Sequence, residues 1–148
     1  MGKLRYPYIE IPILNTEYKV ILTFGSEKGL RDVLSNFSHD QPDLDMTCRG
    51  LTLWARNCHP VIWIPRYPKL PAEYATLAHE ACHAVEDILD AIGQRCSGEI
   101  LAHSVGAIVR YTLIHGKQLT KDIAIYEERQ GSRVKGSGDK GKSNSEKV

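Results

Sequence analysis

No apolar run in this chain of 148 residues approaches the length of a membrane span, so no bilayer-crossing segment is expected. The opening stretch Met1–Tyr8 lacks the apolar core of a secretory signal. Four cysteines (Cys48, Cys58, Cys82 and Cys96) form no C-x-x-C pair, so neither a disulfide framework nor a standard structural zinc pattern is expected, and reduced thiols in a cytoplasm are the simpler reading. Neither sign of charge is in excess: 19 Lys and Arg face 18 Asp and Glu, a formal net charge of +1. That balance excludes nucleic-acid binding by bulk charge. There is no internal repeat, and the length suits one domain with a real core.

What the chain does have is His79-Glu80-Ala81-Cys82-His83, an H-E-x-x-H match. On an α-helix, residues four apart point nearly the same way, so His79 and His83 present two imidazoles one turn apart, suited to two corners of a tetrahedral zinc site. Glu80 sits about 100° round the helix, placed to reach a metal-bound water without being a ligand. The surroundings favour a helix. Pro71 suits a first turn, Glu73 complements its dipole, and Gly93 supplies a stop. Leu77, Ala81, Val85, Ile88, Leu89 and Ile92 form an apolar stripe, with His79, Glu80, His83, Glu86, Asp87 and Asp90 opposite. The bland alternative is a solvated helix face that happens to carry two histidines.

Along the rest of the chain, Tyr6–Pro12 alternates weakly and is broken by prolines, so it reads as an edge or an extended arm. Tyr18–Phe24 reads as a strand, and Ser26 caps a helix through about Phe37. Leu51–Arg56 and Val61–Pro65 read as strands, antiparallel across a turn at Asn57–Pro60. After Gly93, a second helix is expected from Ser97 or Gly98 to about His115, closed by Gly116. Leu101, Val105, Ile108, Val109 and Thr112 line one side of it, and Glu99, His103, Gly106 and Arg110 the other. A short helix or strand follows at Leu119–Tyr126. From Glu127 the chain is almost devoid of apolar residues and is expected to be a disordered tail, leaving 1–126 as the single domain.

The expected fold is therefore α+β: a small mixed or antiparallel sheet on the H-E-x-x-H helix, followed by a second helix. In this order, and in the segment His79–Asp87 (H-E-A-C-H-A-V-E-D), the chain resembles the zincin metallopeptidases, and specifically thermolysin-like gluzincins. In style it is similar to the very small zincin-like proteins of bacteriophages and their hosts. The resemblance spans roughly residues 50–115. It implies a third zinc ligand from the stretch Glu99–His103, with Glu99 on the ligand glutamate's position, and His103 where an aspartate normally orients the first histidine. Asp87 matches the aspartate one turn after the second histidine. The gap from His83 to Glu99 is shorter than in large gluzincins, so the connection must be a tight helical hairpin. Glu99 and His103, four apart, are then expected to face the motif helix, with Gly106 permitting close approach.

The expected activity is zinc-dependent peptide hydrolysis. His79, His83 and Glu99 hold Zn2+, Glu80 takes the proton of the attacking water, and His103 either orients a ligand or donates to the oxyanion. Asp87 supports His83. The strand Val61–Ile64, if it is the edge, would bind substrate as an added strand. The expected partner is a peptide or protein substrate, with no nucleic acid and no membrane, in the cytoplasm of a bacterium or a phage-infected host. A different class remains beside it: a non-catalytic metal-binding or interaction module in phage assembly, regulation or host takeover.

Overall fold

The computed structural model describes residues 4–14, 17–55 and 58–136. Its fold is α+β, with a four-stranded mixed sheet and three helices among the described residues. The strands are β1 (Ile9–Ile13), β2 (Tyr18–Phe24), β3 (Leu51–Leu53) and β4 (Val61–Ile64), in the spatial order β1-β2-β4-β3. β1 pairs antiparallel with β2, β2 runs parallel to β4, and β3 pairs antiparallel with β4 in the register Leu51 to Trp63, Thr52 to Ile62 and Leu53 to Val61. All four residues of β4 are buried. Successive side chains of a strand point to opposite faces, so the sheet is covered on both sides there.

The helices are α1 (Glu27–Asn36), α2 (Pro71–Ala91) and α3 (Gly98–Gly136). Ser26 caps α1 as expected, its Oγ accepting the Gly29 N–H at 3.2 Å. At the start of α2, Leu70 has no side-chain acceptor, and Glu73 reaches back instead to the backbone N–H groups of Lys69 (2.7 Å) and Leu70 (2.9 Å). Gly93, at φ +67°, ends α2 with a Schellman pair: Gly93 N–H bonds Asp90 O, and Gln94 N–H bonds Leu89 O. Ser97 then opens α3, accepting the Ile100 N–H. α2 lies against β3 and β4, while α3 lies against β1 and β2 and along α2.

Near the N-terminus Tyr6 is a wedge, only 2% exposed. Its N–H bonds Asp32 Oδ2 at 2.8 Å, its hydroxyl donates to Phe24 O at 3.0 Å, and its ring meets Tyr126 edge-on at 5.1 Å. Gly29 makes room for it, since a Cβ there would fall 2.3 Å from the ring. β1 is an edge, as its proline suggests. Pro12 has no N–H to offer a further strand, and α3 packs against β1.

Five expectations change. Val61–Ile64 is an interior strand; the open edge beside α2 is β3, because β4 pairs on both sides. β3 ends at Leu53, short of the expected Arg56; Arg56 and Asn57 lie outside the described residues. Gly116 does not end the second helix. It is buried, and a Cβ there would come 2.6 Å from Cδ2 of Tyr67, so the glycine serves ring packing within a continuous helix. α3 accordingly takes in Leu119–Tyr126, with Leu119 and Ile123 buried, and continues through Glu127–Gly136, where a polar tail is expected. Residues 137–148 lie outside the described residues. Lastly, Gly106 has nothing within 4 Å of an added Cβ, so it mediates no close helix approach.

Candidate functional site

α2 buries Leu77, Ala81, Val85, Ile88 and Leu89 of the stripe read from the sequence, adds Ala84, leaves Ile92 half-buried and leaves His79 and His83 exposed. The two imidazoles converge: their Nε2 atoms are 3.0 Å apart, with ring centroids at 4.6 Å and planes at 90°. Two nitrogens bound to one tetrahedral zinc at about 2.0–2.1 Å would stand about 3.3–3.4 Å apart. The pair therefore fits two corners of such a site with a small opening of the gap. Behind it, His83 Nδ1 lies 4.0 Å from Glu86 Oε2. Asp87, one turn on, has its carboxyl pushed up by partial burial, an effect that the neighbouring His83 opposes.

Glu80 is not on the solvated face. It is 8% exposed, and its Oε2 accepts the Thr52 hydroxyl at 2.6 Å, the same hydroxyl lying 2.9 Å from Glu80 O. Thr52 is the middle residue of β3, so the motif glutamate is tied to the open edge of the sheet. Gly50 allows this closeness, since a Cβ there would meet Thr76 Cγ2 at 2.8 Å and Glu80 Cγ at 2.9 Å. The preceding loop brings Cys48 within the field of Glu80. Local desolvation, Asp45 and then Glu80 all push the exposed Cys48 thiol up. Asp45 itself is held below the usual range by the Thr47 hydroxyl and N–H. Cys82 is half-buried, and its thiol is likewise raised, by burial first.

Glu99 and His103 lie on the outward stripe of α3, both exposed, and line a cavity of about 510 Å³ with Pro12, Ile13 and Leu14 at the end of β1. The opposite stripe of α3, with Ile108 and Thr112 buried and Leu101, Val105 and Val109 half-buried, faces the core. An amphipathic helix buries one stripe, and here it is the apolar one. Among the described residues, no group of three or more His, Cys, Asp or Glu side chains is gathered as a metal site. The structure thus brings His79 and His83 together and sets Glu80 between them and the sheet edge, with Glu99 and His103 at a separate cavity.

The sequence reading did not single out Thr52 or Gly50. A polar β-branched residue and a glycine flanking Leu51 are unremarkable in sequence; their meaning lies in a contact with a helix 28 residues on.

A further cavity of about 330 Å³ lies between the first turns of α2 and the end of β4, lined by Arg49, Ile64, Arg66, Leu70, Glu73 and Thr76 among others. No protein family, no curated protein and no solved structure matches this chain. No helix among the described residues is long and apolar enough to cross a membrane.

Proposed function

We propose that this protein is a metal-dependent hydrolase acting on peptide bonds, with the H-E-x-x-H helix α2 as its active-site element. The observation that carries the reading is the convergence of His79 and His83 to 3.0 Å between Nε2 atoms, beside a glutamate anchored to a sheet edge. His79 and His83 would hold zinc; Glu99, which lines a separate cavity in this structure, enters as third ligand on the strength of the resemblance alone and would have to approach them. Bound there, zinc would lower the pKa of a coordinated water and polarise the scissile carbonyl. Glu80 takes the proton of the attacking water and returns it to the leaving amine. Thr52 fixes the rotamer of that carboxylate. The free edge of β3 offers backbone groups to an extended substrate, which would lie alongside Thr52 and so over Glu80. Asp87 keeps a supporting role toward His83, and His103, beside Glu99, has its role toward a ligand or the oxyanion from the resemblance alone.

A second reading has an observation of its own. The Glu80 carboxylate is buried against Thr52, which is also what a purely structural helix-to-sheet tie would look like. On that reading the exposed histidine pair binds metal without turnover, in an interaction module.

The deciding experiment measures the zinc content of the purified chain beside His83→Ala and Glu99→Ala, with peptide cleavage followed in wild type and Glu80→Gln. About one zinc per chain, lost in both ligand variants, with cleavage abolished in Glu80→Gln, is the expected result. Zinc lost in His83→Ala but kept in Glu99→Ala would place the third ligand elsewhere. Bound zinc without cleavage would favour the module, and no zinc uptake would remove the metal reading altogether.

A further inference from the structure

We infer that Arg49 makes the cavity beside the motif helix a subsite for an acidic side chain of a bound peptide. The cavity, about 330 Å³, is lined by the apolar residues Ile64, Leu70 and Ala72 and by two arginines, Arg49 and Arg66. The two cations are not equivalent. Arg66 Nε is bonded to Glu73 Oε1 at 2.7 Å, and the other oxygen of Glu73 accepts the Lys69 and Leu70 N–H groups. These bonds hold the Glu73 carboxyl down at about 2, so the pair stays charged and mutually satisfied at neutral pH. Among the described residues, Arg49 makes no hydrogen bond or ion pair. The cavity therefore carries one uncompensated positive charge.

Its position ties it to the proposed chemistry. Arg49 directly precedes Gly50, where an added Cβ would meet Thr76 and Glu80, and it stands at the entry to the edge strand β3. Thr76 lines the same cavity one turn before Glu80. An extended peptide laid along β3 would bring one side chain to this wall. A glutamate would rest its methylenes on Ile64 and Leu70 and its carboxylate on the Arg49 fork, a bidentate geometry that lysine would not reproduce. The inference deepens the hydrolase reading by naming a substrate class, yet binding alone tests it.

The test uses the full chain carrying Glu80→Gln, which prevents turnover, and two capped peptide sets identical except for glutamate or glutamine at the centre. At low salt the glutamate set should bind about three- to tenfold tighter, as for a partly exposed charge-assisted pair. That preference should vanish in Arg49→Gln, persist in Arg66→Gln, and shrink with added salt. Equal binding of the two sets, no binding of either, or a preference surviving Arg49→Gln would overturn the subsite. So would affinity gained only by uncapped peptides through their C-terminal carboxylate. Glutamate-selective binding without zinc or cleavage would leave the subsite standing and remove the hydrolase. Cleavage by wild type that ignores the glutamate would do the reverse.

Discussion

The Thr52 hydroxyl lies 2.6 Å from the Glu80 carboxylate, joining the middle of the edge strand to the middle of the motif helix. Thr52→Val keeps the shape and removes the donor, leaving a buried carboxylate oxygen short of a partner. The expected cost is about 1–3 kcal/mol in urea unfolding, with Thr52→Ser close to wild type. A valine variant as stable as wild type would mean that Glu80 finds another donor and that the tie is dispensable.

Gly50→Ala drives a methyl into Thr76 Cγ2 and Glu80 Cγ, both under 3.0 Å. About 1–3 kcal/mol of destabilisation is expected, as for an overpacked core. Combining it with Thr76→Ser, which removes the clashing methyl, should recover part of that loss. Strictly additive melts of the two changes would show that the contact is not shared.

Two glycines of α3 should respond in opposite directions. Gly106 faces open space, so Gly106→Ala should stabilise by roughly 0.5–1 kcal/mol through helix propensity. Gly116→Ala meets the Tyr67 ring at 2.6 Å and should destabilise despite the same propensity gain. Thermal melts of the two variants side by side decide this.

Glu73 supplies a pH signature. Its carboxyl is depressed from 4.5 to about 2 by the Lys69 and Leu70 N–H groups and by Arg66. A depressed carboxyl contributes stability that is present above its ordinary value and lost as pH falls from there through the folded value. The stability gap between wild type and Glu73→Gln should therefore be full above about pH 4.5 and close toward pH 2. A gap independent of pH across that window would mean that the ionised carboxylate is not what secures the start of α2.

These features divide into local ones, legible in the sequence, and distant ones that were not. β2, α1 and the limits of α2 are marked by nearby residues: alternation in Tyr18–Phe24, the Ser26 cap, Pro71 and Gly93. The histidine pair is equally local, a consequence of i,i+4 spacing. Which strand forms the open edge depends on the β2–β4 pairing, across a long connection that carries no mark of its partner. Gly116 reads as a stop until Tyr67 is known to lie against it. The placement of Glu99 and His103 was partly legible: the apolar residues of α3 already defined the stripe that must turn inward, and these two lie on the other side. Expecting them to face α2 set the resemblance above that stripe.

The two borders of the sheet are unlike. One is β1, which carries Pro12 and packs against α3; the other is β3, Leu51–Leu53, which among the described residues pairs on one side only. A second copy can meet the unpaired border with its own unpaired border, a two-fold pairing that uses up both, while the border at Pro12 lacks an N–H with which to extend the sheet. Growth of the sheet is thus limited to a single addition, and a chain with an unguarded edge is kept from stacking copy upon copy into a fibre.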